Sequence, residues 1–219
     1  MNIIKASYKI LTPISEGGVK ELKLIEEIGR TCYKSEDKIT EDGESAKKFV
    51  KMLIDRGHEA MIEHSFLSVR FIVDRGVSHE IVRHRIASFA QESTRYCNYS
   101  KDKFGNEITV ILPEYFDTGM GTSSNSIVYK DWEASCEKAE EKYFSLLNNG
   151  ATPQEARAVL PNSLKTEIVM TSNYREWRNF FKLRTAQAAH PQMREVTIPL
   201  LEELKTLIPV IFDDIEVTE

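Results

Sequence analysis

From Arg83 to Tyr96 the chain reads RHRIASFAQESTRY, and this stretch limits what it can fold into more than any other. Three cations crowd its start, and Gln91, Ser93 and Arg95 alternate at its end. On a helix, residues two apart point about 200° apart, so Arg83 and Arg85 could not converge on one small ligand from a mid-helix position. The cluster is therefore expected to cap a helix end and splay into a loop. Beyond it, Gln91, Ser93 and Arg95 would line one face of an extended segment. Planar guanidinium forks match phosphate and carboxylate oxygens two at a time, which gives the outline of a nucleotide site.

The flanking sequence supplies helices and strands in alternation. Leu67, Val69, Phe71 and Val73 alternate within Ser65 to Val73, a strand pattern. Ser78 reads as the N-cap of a short helix running into Arg83. Leu22, Ile25 and Ile28 recur at helical spacing between Val19 and Cys32, as do Phe49, Leu53 and Ile54 between Ser45 and Arg56, where Gly57 is a stop. The first dozen residues and Ile108 to Leu112 read as strands. A long helix is expected from Ser126 to Asn149, with Gly150 past its end. Thr152-Pro153-Gln154-Glu155 has the form of a capping box, and Pro161 stops the helix it opens. Lys165 to Thr171 reads as a strand, Asn173 with Glu176 opens another helix, and Pro191 to Leu207 forms the last. The Gly119 to Ser126 segment reads as a loop within a domain. Such interleaving predicts a mixed α/β or α+β domain.

Composition excludes several classes. With 219 residues, a net charge of −5 and 41% hydrophobic residues, the chain suits a soluble globular protein and not a non-specific nucleic-acid binder. Any phosphate recognition is expected to be local. The three cysteines, Cys32, Cys97 and Cys136, form no C-x-x-C pair, and no signal peptide or membrane-length apolar run stands out. A soluble protein of the reducing cytoplasm is expected.

There is no G-x-x-x-x-G-K-[ST] loop, and Gly119-Met120-Gly121 lacks a third glycine at position 124. His79 and His84 are five apart, and His58 and His64 six apart, spacings that do not stack two imidazoles on one helix face, so no metal is expected. Ser93 and Cys97 are read as a hydrogen-bonding hydroxyl and a buried thiol rather than nucleophiles. A second polar group, Asn173 to Asn179 and on to Arg184, places Arg175 and Asn179 on one helix face, with Asn173 near backbone N–H groups that attract anions. Taken alone, that segment reads rather as an amphipathic helix with Trp177, Phe180 and Phe181 in the core, and Arg157 as a surface arginine.

Four blocks nevertheless occur in order: HEAMIEH (His58 to His64), RHRIASFAQESTRY, Arg157-Ala158-Val159-Leu160-Pro161, and Asn173-Tyr174-Arg175 through Leu183-Arg184. The R-H-R-x7-S pattern from Arg83 to Ser93 and this set of blocks resemble the flavin-dependent thymidylate synthases, from the first block through His190. The resemblance implies one α+β domain over residues 1–219, with a small antiparallel-rich sheet packed against several helices. It also implies a homotetramer with active sites at subunit interfaces, binding FAD without a Rossmann motif. Flavin contacts would come from Arg83, His84, Arg85, Gln91, Asn173, Arg175 and Asn179. Contacts to dUMP would come from Glu80, Arg83, Gln91, Glu92, Ser93, Thr94, Arg95, Arg157 and Arg184, and His58 is associated with folate access and proton transfer. The chain departs from the family at Glu80, where Gln is frequent, and at Ala60, where Ser or Thr often helps hold the flavin. Two extra residues precede His190, so no flavin contact is carried onto it.

The activity implied is conversion of dUMP to dTMP, with 5,10-methylenetetrahydrofolate as carbon donor and NAD(P)H-reduced FAD as hydride donor. Arg184 is the catalytic candidate, a fixed charge that polarises the pyrimidine. The alternatives are a flavin-free nucleotide sensor and an RNA- or DNA-binding module stacking bases on Tyr96 and Tyr99.

Overall fold

The computed structural model describes residues 1–117 and 127–217; the Gly119 to Ser126 loop and the expected helix start at Ser126 lie outside them. The strands are β1 (Asn2–Ile4), β2 (Ser7–Ile10), β3 (Phe66–Asp74), β4 (Ala87–Gln91), β5 (Thr109–Ile111) and β6 (Lys165–Asn173). The helices are α1 (Val19–Tyr33), α2 (Glu44–Asp55), α3 (Arg75–Ile81), α4 (Glu114–Asp117), α5 (Ile127–Asn148), α6 (Pro153–Ala156), α7 (Tyr174–Arg184), α8 (Pro191–Leu207) and α9 (Pro209–Phe212). Short 3-10 turns intervene, including Glu59–His64 and Arg157–Val159. The fold class is α+β. A four-stranded sheet has the order β2-β3-β6-β4, and β1 pairs with β5 in parallel. Strands β3 and β6 run in opposite directions, since Tyr174 N donates to Ser65 O while Ser68 Oγ meets Thr171 Oγ1.

Two of the helix stops follow the sequence punctuation closely. Gly57 takes φ of 71° and Gly150 takes φ of 93°, left-handed values that glycine adopts without Cβ strain, just past α2 and α5. The first dozen residues form two short strands rather than one.

The described residues fall into two compact units. One comprises Met1–Ser7, Phe71–Arg83 and Ala90–Val169. Its core gathers Ile108 and Val110, Cys136 and Tyr143 of α5, Ala156 and Leu164. The capping box holds as expected: Glu155 Oε2 accepts from both Thr152 N and Thr152 Oγ1 at 2.8 Å.

The other unit comprises Tyr8–Arg70, His84–Phe89 and Met170 onward. It is organised around α7, whose Tyr174, Trp177, Phe180 and Phe181 are fully buried. Trp177 Nε1 donates to Leu67 O at 3.0 Å, and Phe181 meets Phe212 of α9 edge-on with centroids 5.7 Å apart. Arg178, also buried, reaches Ile211 O, Asp214 and Glu59. Its three anionic or carbonyl partners compensate the cost of removing a guanidinium from water. These contacts fix α7, and α7 carries much of the candidate site.

Candidate functional site

The Arg83-His84-Arg85 triplet lies where its spacing requires. Helix α3 ends at Ile81, Arg83 N closes a turn on Glu80 O at 3.1 Å, and the backbone then runs irregularly into β4. Arg83 and Arg85 are exposed while His84 between them is buried. The cap of α3 is not Ser78. Asp74 accepts from Val77 N at 2.7 Å, and Ser78 sits inside the helix, its hydroxyl donating to Arg75 O at 2.9 Å. The carboxylate wins because it lies three residues before an orphan N–H and accepts more strongly than a hydroxyl.

In the unit built around α7, His84 is held at both ring nitrogens. Arg184 Nε donates to His84 Nε2 at 3.0 Å, and His84 Nδ1 lies 2.9 Å from Glu176 Oε1. An arginine Nε–H can only donate, so Nε2 must be the bare nitrogen and Nδ1 carries the proton that Glu176 accepts. Burial pushes the His84 pKa below its ordinary value. The Glu176 hydrogen bond opposes that shift and the Arg184 charge reinforces it. Neutral His84 is therefore the resting form at pH 7. Asn179 Nδ2 lies 3.2 Å from each oxygen of Glu176, and the Phe180 ring meets the imidazole edge-on at 4.8 Å.

Beside this chain opens a groove of about 480 Å³ lined by Glu59, Glu63, Ile86, Asn173, Arg175, Glu176, Asn179 and Lys182. Arg175 and Asn179 do share a face there. Asn173 caps α7, as its place with Glu176 in the sequence leads one to expect. Asn173 Oδ1 itself accepts from Glu176 N at 2.9 Å, and Tyr174 N is used by Ser65 O. Polar residues and Ile86 line this groove. Arg175 meanwhile pairs with Glu63.

The other unit assembles a second cluster. Arg157 Nη1 reaches Thr94 Oγ1 at 3.4 Å, and Arg95 Nε donates to Gln154 Oε1 at 2.8 Å with its guanidinium over the Tyr96 ring. Gln91 ends β4, but Ser93 and Arg95 do not continue it as an extended face. They form a turn in which Tyr96 N bonds Ser93 O and Arg95 N bonds Ser93 Oγ at 3.3 Å. A serine hydroxyl competes for nearby backbone N–H groups in this way, which breaks the strand. Gln91 Nε2 donates to Ser78 Oγ at 2.9 Å and to Thr166 Oγ1 at 3.3 Å. Glu92 pairs with Lys165 at 3.0 Å.

Thr94, Gln154 and Arg157 line a recess of about 490 Å³ together with Arg75 and His79. Neither Arg75 nor His79 was singled out as a ligand-binding residue from sequence. Arg75 Nη1 also reaches Glu92 O and Thr166 Oγ1, so it braces the turn. The available signal was their spacing of four on α3, which puts them on one face. Elsewhere, His58 is exposed at the head of the Glu59–His64 turn, and Glu80 lies in the last turn of α3.

Comparison with known proteins bears on both clusters. The family described as thymidylate synthase complementing protein matches residues 19–210. A flavin-dependent thymidylate synthase of Corynebacterium aurimucosum is 34% identical over 215 residues, covering 94% of this chain and 84% of that protein. One from Corynebacterium efficiens is 33% identical, covering 89% and 79%. One from Mycobacterium bovis is 32% identical, covering 89% and 80%.

Proposed function

The chain belongs to the thymidylate synthase complementing protein family, and from that premise we propose how its two side-chain clusters serve the reaction. The activity is that of a flavin-dependent thymidylate synthase: dUMP is reductively methylated to dTMP, with 5,10-methylenetetrahydrofolate as carbon donor. The observation that carries the reading is the hydrogen bond between Arg184 and His84, which joins two motif blocks a hundred residues apart. The family match runs through both compact units, which supports treating residues 1–219 as one functional domain.

The groove beside α7 fits a flavin. Arg175 and Lys182 offer cationic donors for phosphate, Asn179 an amide oxygen for a ribose hydroxyl, and Ile86 an apolar wall for a ring. Asn173, Arg175 and Asn179, which line it, would hold the group, with Arg83, His84, Arg85 and Gln91 as further expected contacts. Bound FAD, reduced by NADPH, supplies the hydride.

Uracil C5 is a poor nucleophile, and it can be activated by a thiolate adding at C6 or by charge that stabilises the polarised ring. Burial pushes the Cys97 thiol up, and the Glu92 charge pushes it further, so a thiolate is disfavoured there. Arg184, fixed by His84, suits the second route because preorganised charge in a dry site costs no reorganisation during reaction. Arg95 and Arg157 grip the phosphate of dUMP. Glu80, Arg83, Glu92, Ser93 and Thr94 complete the substrate contacts, and Ser93 acts as a turn-forming donor or acceptor. His58, exposed at the head of the Glu59–His64 turn, serves folate access.

The active enzyme is a homotetramer with sites at subunit interfaces, in the cytoplasm. Supporting this, Ile86, Phe66 and Leu183 of the α7 unit are 68%, 58% and 55% exposed, apolar surface that association would cover. No helix among the described residues is long and apolar enough to cross a membrane. Purified protein should be yellow and form dTMP from dUMP, methylenetetrahydrofolate and NADPH. Colourless protein that takes up no added FAD and forms no dTMP would contradict the reading.

A further inference from the structure

Glu176, Phe180 and Arg184 fall four residues apart, so they form one row along α7. From Glu176 to Arg184 that row spans about 12 Å of helix axis, at a rise of about 1.5 Å per residue. The His84 ring lies against the middle of the row, edge-on to Phe180 at 4.8 Å, and bridges its two ends. We infer that Glu176 is a positioning residue: acting through His84, it fixes the orientation of the Arg184 guanidinium. The inference rests on the role proposed for Arg184 and extends it to Glu176, which the local sequence pattern marks only as part of a helix start.

The argument is one of donors and acceptors. A neutral imidazole has two tautomers, and only the one with hydrogen on Nδ1 offers a lone pair to Arg184 Nε–H. In the other tautomer two N–H groups would face each other at 3.0 Å, and the guanidinium would have to turn away. A carboxylate accepts and never donates, so Glu176 at 2.9 Å from Nδ1 selects the required tautomer. Asn179 Nδ2 bonds the same carboxylate at 3.2 Å to each oxygen, sharing Oε1 with His84, which restrains it against rotation. Both His84 and Glu176 are buried, at 5% and 8% exposure, so water offers little competing partnership. Outer partners that orient a functional group in this way commonly control activity without touching the substrate.

An amide at position 176 breaks the logic while keeping the shape. With its oxygen at the Oε1 place it can still accept from His84, but its NH2 then stands at the Oε2 place against the Asn179 NH2; turned over, its NH2 faces Nδ1 and favours the unwanted tautomer. The test is Glu176→Gln, read first by 15N spectra of histidine-labelled, ligand-free protein, with His84→Gln to assign the signals. Wild-type His84 should be neutral with its proton on Nδ1. The variant should show a mixed or reversed tautomer, and its kcat should fall about tenfold to a hundredfold. Its KM for dUMP should change far less than kcat. A merely structural role would leave the tautomer unchanged and lower thermal stability instead, and that result overturns the inference. So does a wild-type His84 protonated on Nε2, a measurement that needs no variant to fold. So does wild-type kcat in a folded Glu176→Gln. If instead the wild type makes no dTMP, the proposed reaction fails; the tautomer spectra then still report whether Glu176 controls His84.

Discussion

The two clusters carry similar residue types but are held differently. Around α7, Arg184 is tied to a buried imidazole that is itself tied to a buried carboxylate, three groups in one chain of charge-assisted bonds. Around the Ser93 turn, Arg157 and Arg95 are exposed and make one side-chain hydrogen bond each among the described residues, to a threonine hydroxyl and a glutamine carbonyl, with Arg95 also over the Tyr96 ring. The first arrangement is set before any ligand arrives. The second leaves most guanidinium donors to be completed by an anion. The difference matches the work proposed for each: a charge that must not move while a ring is polarised, and a clamp that must admit and release a phosphate.

Truncating each arginine should expose that contrast. Arg184→Ala is expected to have the largest effect, a loss of about 10² to 10³ in kcat, the scale for removing one preorganised charge donor. Single-turnover formation of dTMP at saturating dUMP measures it, and near-normal turnover would remove Arg184 from the chemistry. Arg157→Ala should act on binding instead. The dUMP dissociation constant should rise about tenfold to a hundredfold, the worth of a hydrogen bond to a charged group, with kcat little changed. Because Arg157 is exposed, its contribution should also shrink as salt is raised, whereas the Arg184 effect should not. Calorimetric titration with dUMP at low and high ionic strength separates the two. Ser93→Ala should have the smallest effect, weakening dUMP about fivefold through loss of one neutral hydrogen bond while leaving measurable activity. A dead Ser93→Ala that still binds dUMP and flavin would revive a nucleophilic serine.

The sequence exposed the frame of both clusters more readily than their wiring. Asn173 as a cap, Pro153 and Pro191 at helix starts, and Gly57 and Gly150 at helix ends act over one turn, so local pattern suffices to find them. Ser78 failed as a cap because Asp74, four residues earlier, competes for the same helix start. The Ser93 turn is hidden in the sequence because the alternation of Gln91, Ser93 and Arg95 masks the serine's own affinity for a backbone N–H. Glu176 illustrates the limit best. Its sequence position three residues after Asn173 suggests a capping-box carboxylate, but its side chain is committed to a histidine 92 residues earlier in the chain. Only the four-residue row from Glu176 through Phe180 to Arg184 hinted at a shared face, and nothing local named its partner. Arg75 and His79 were likewise legible only as a row on α3, since the recess they line is completed by Thr94 and Arg157.

The most direct test of the α7 chain is a double-mutant cycle on kcat with Glu176→Gln and Arg184→Ala. If Glu176 acts through Arg184, its substitution should cost little once Arg184 is gone, so the double variant should match Arg184→Ala within about twofold. If the two losses instead multiply, Glu176 serves some other end, and the orientation of Arg184 does not depend on it.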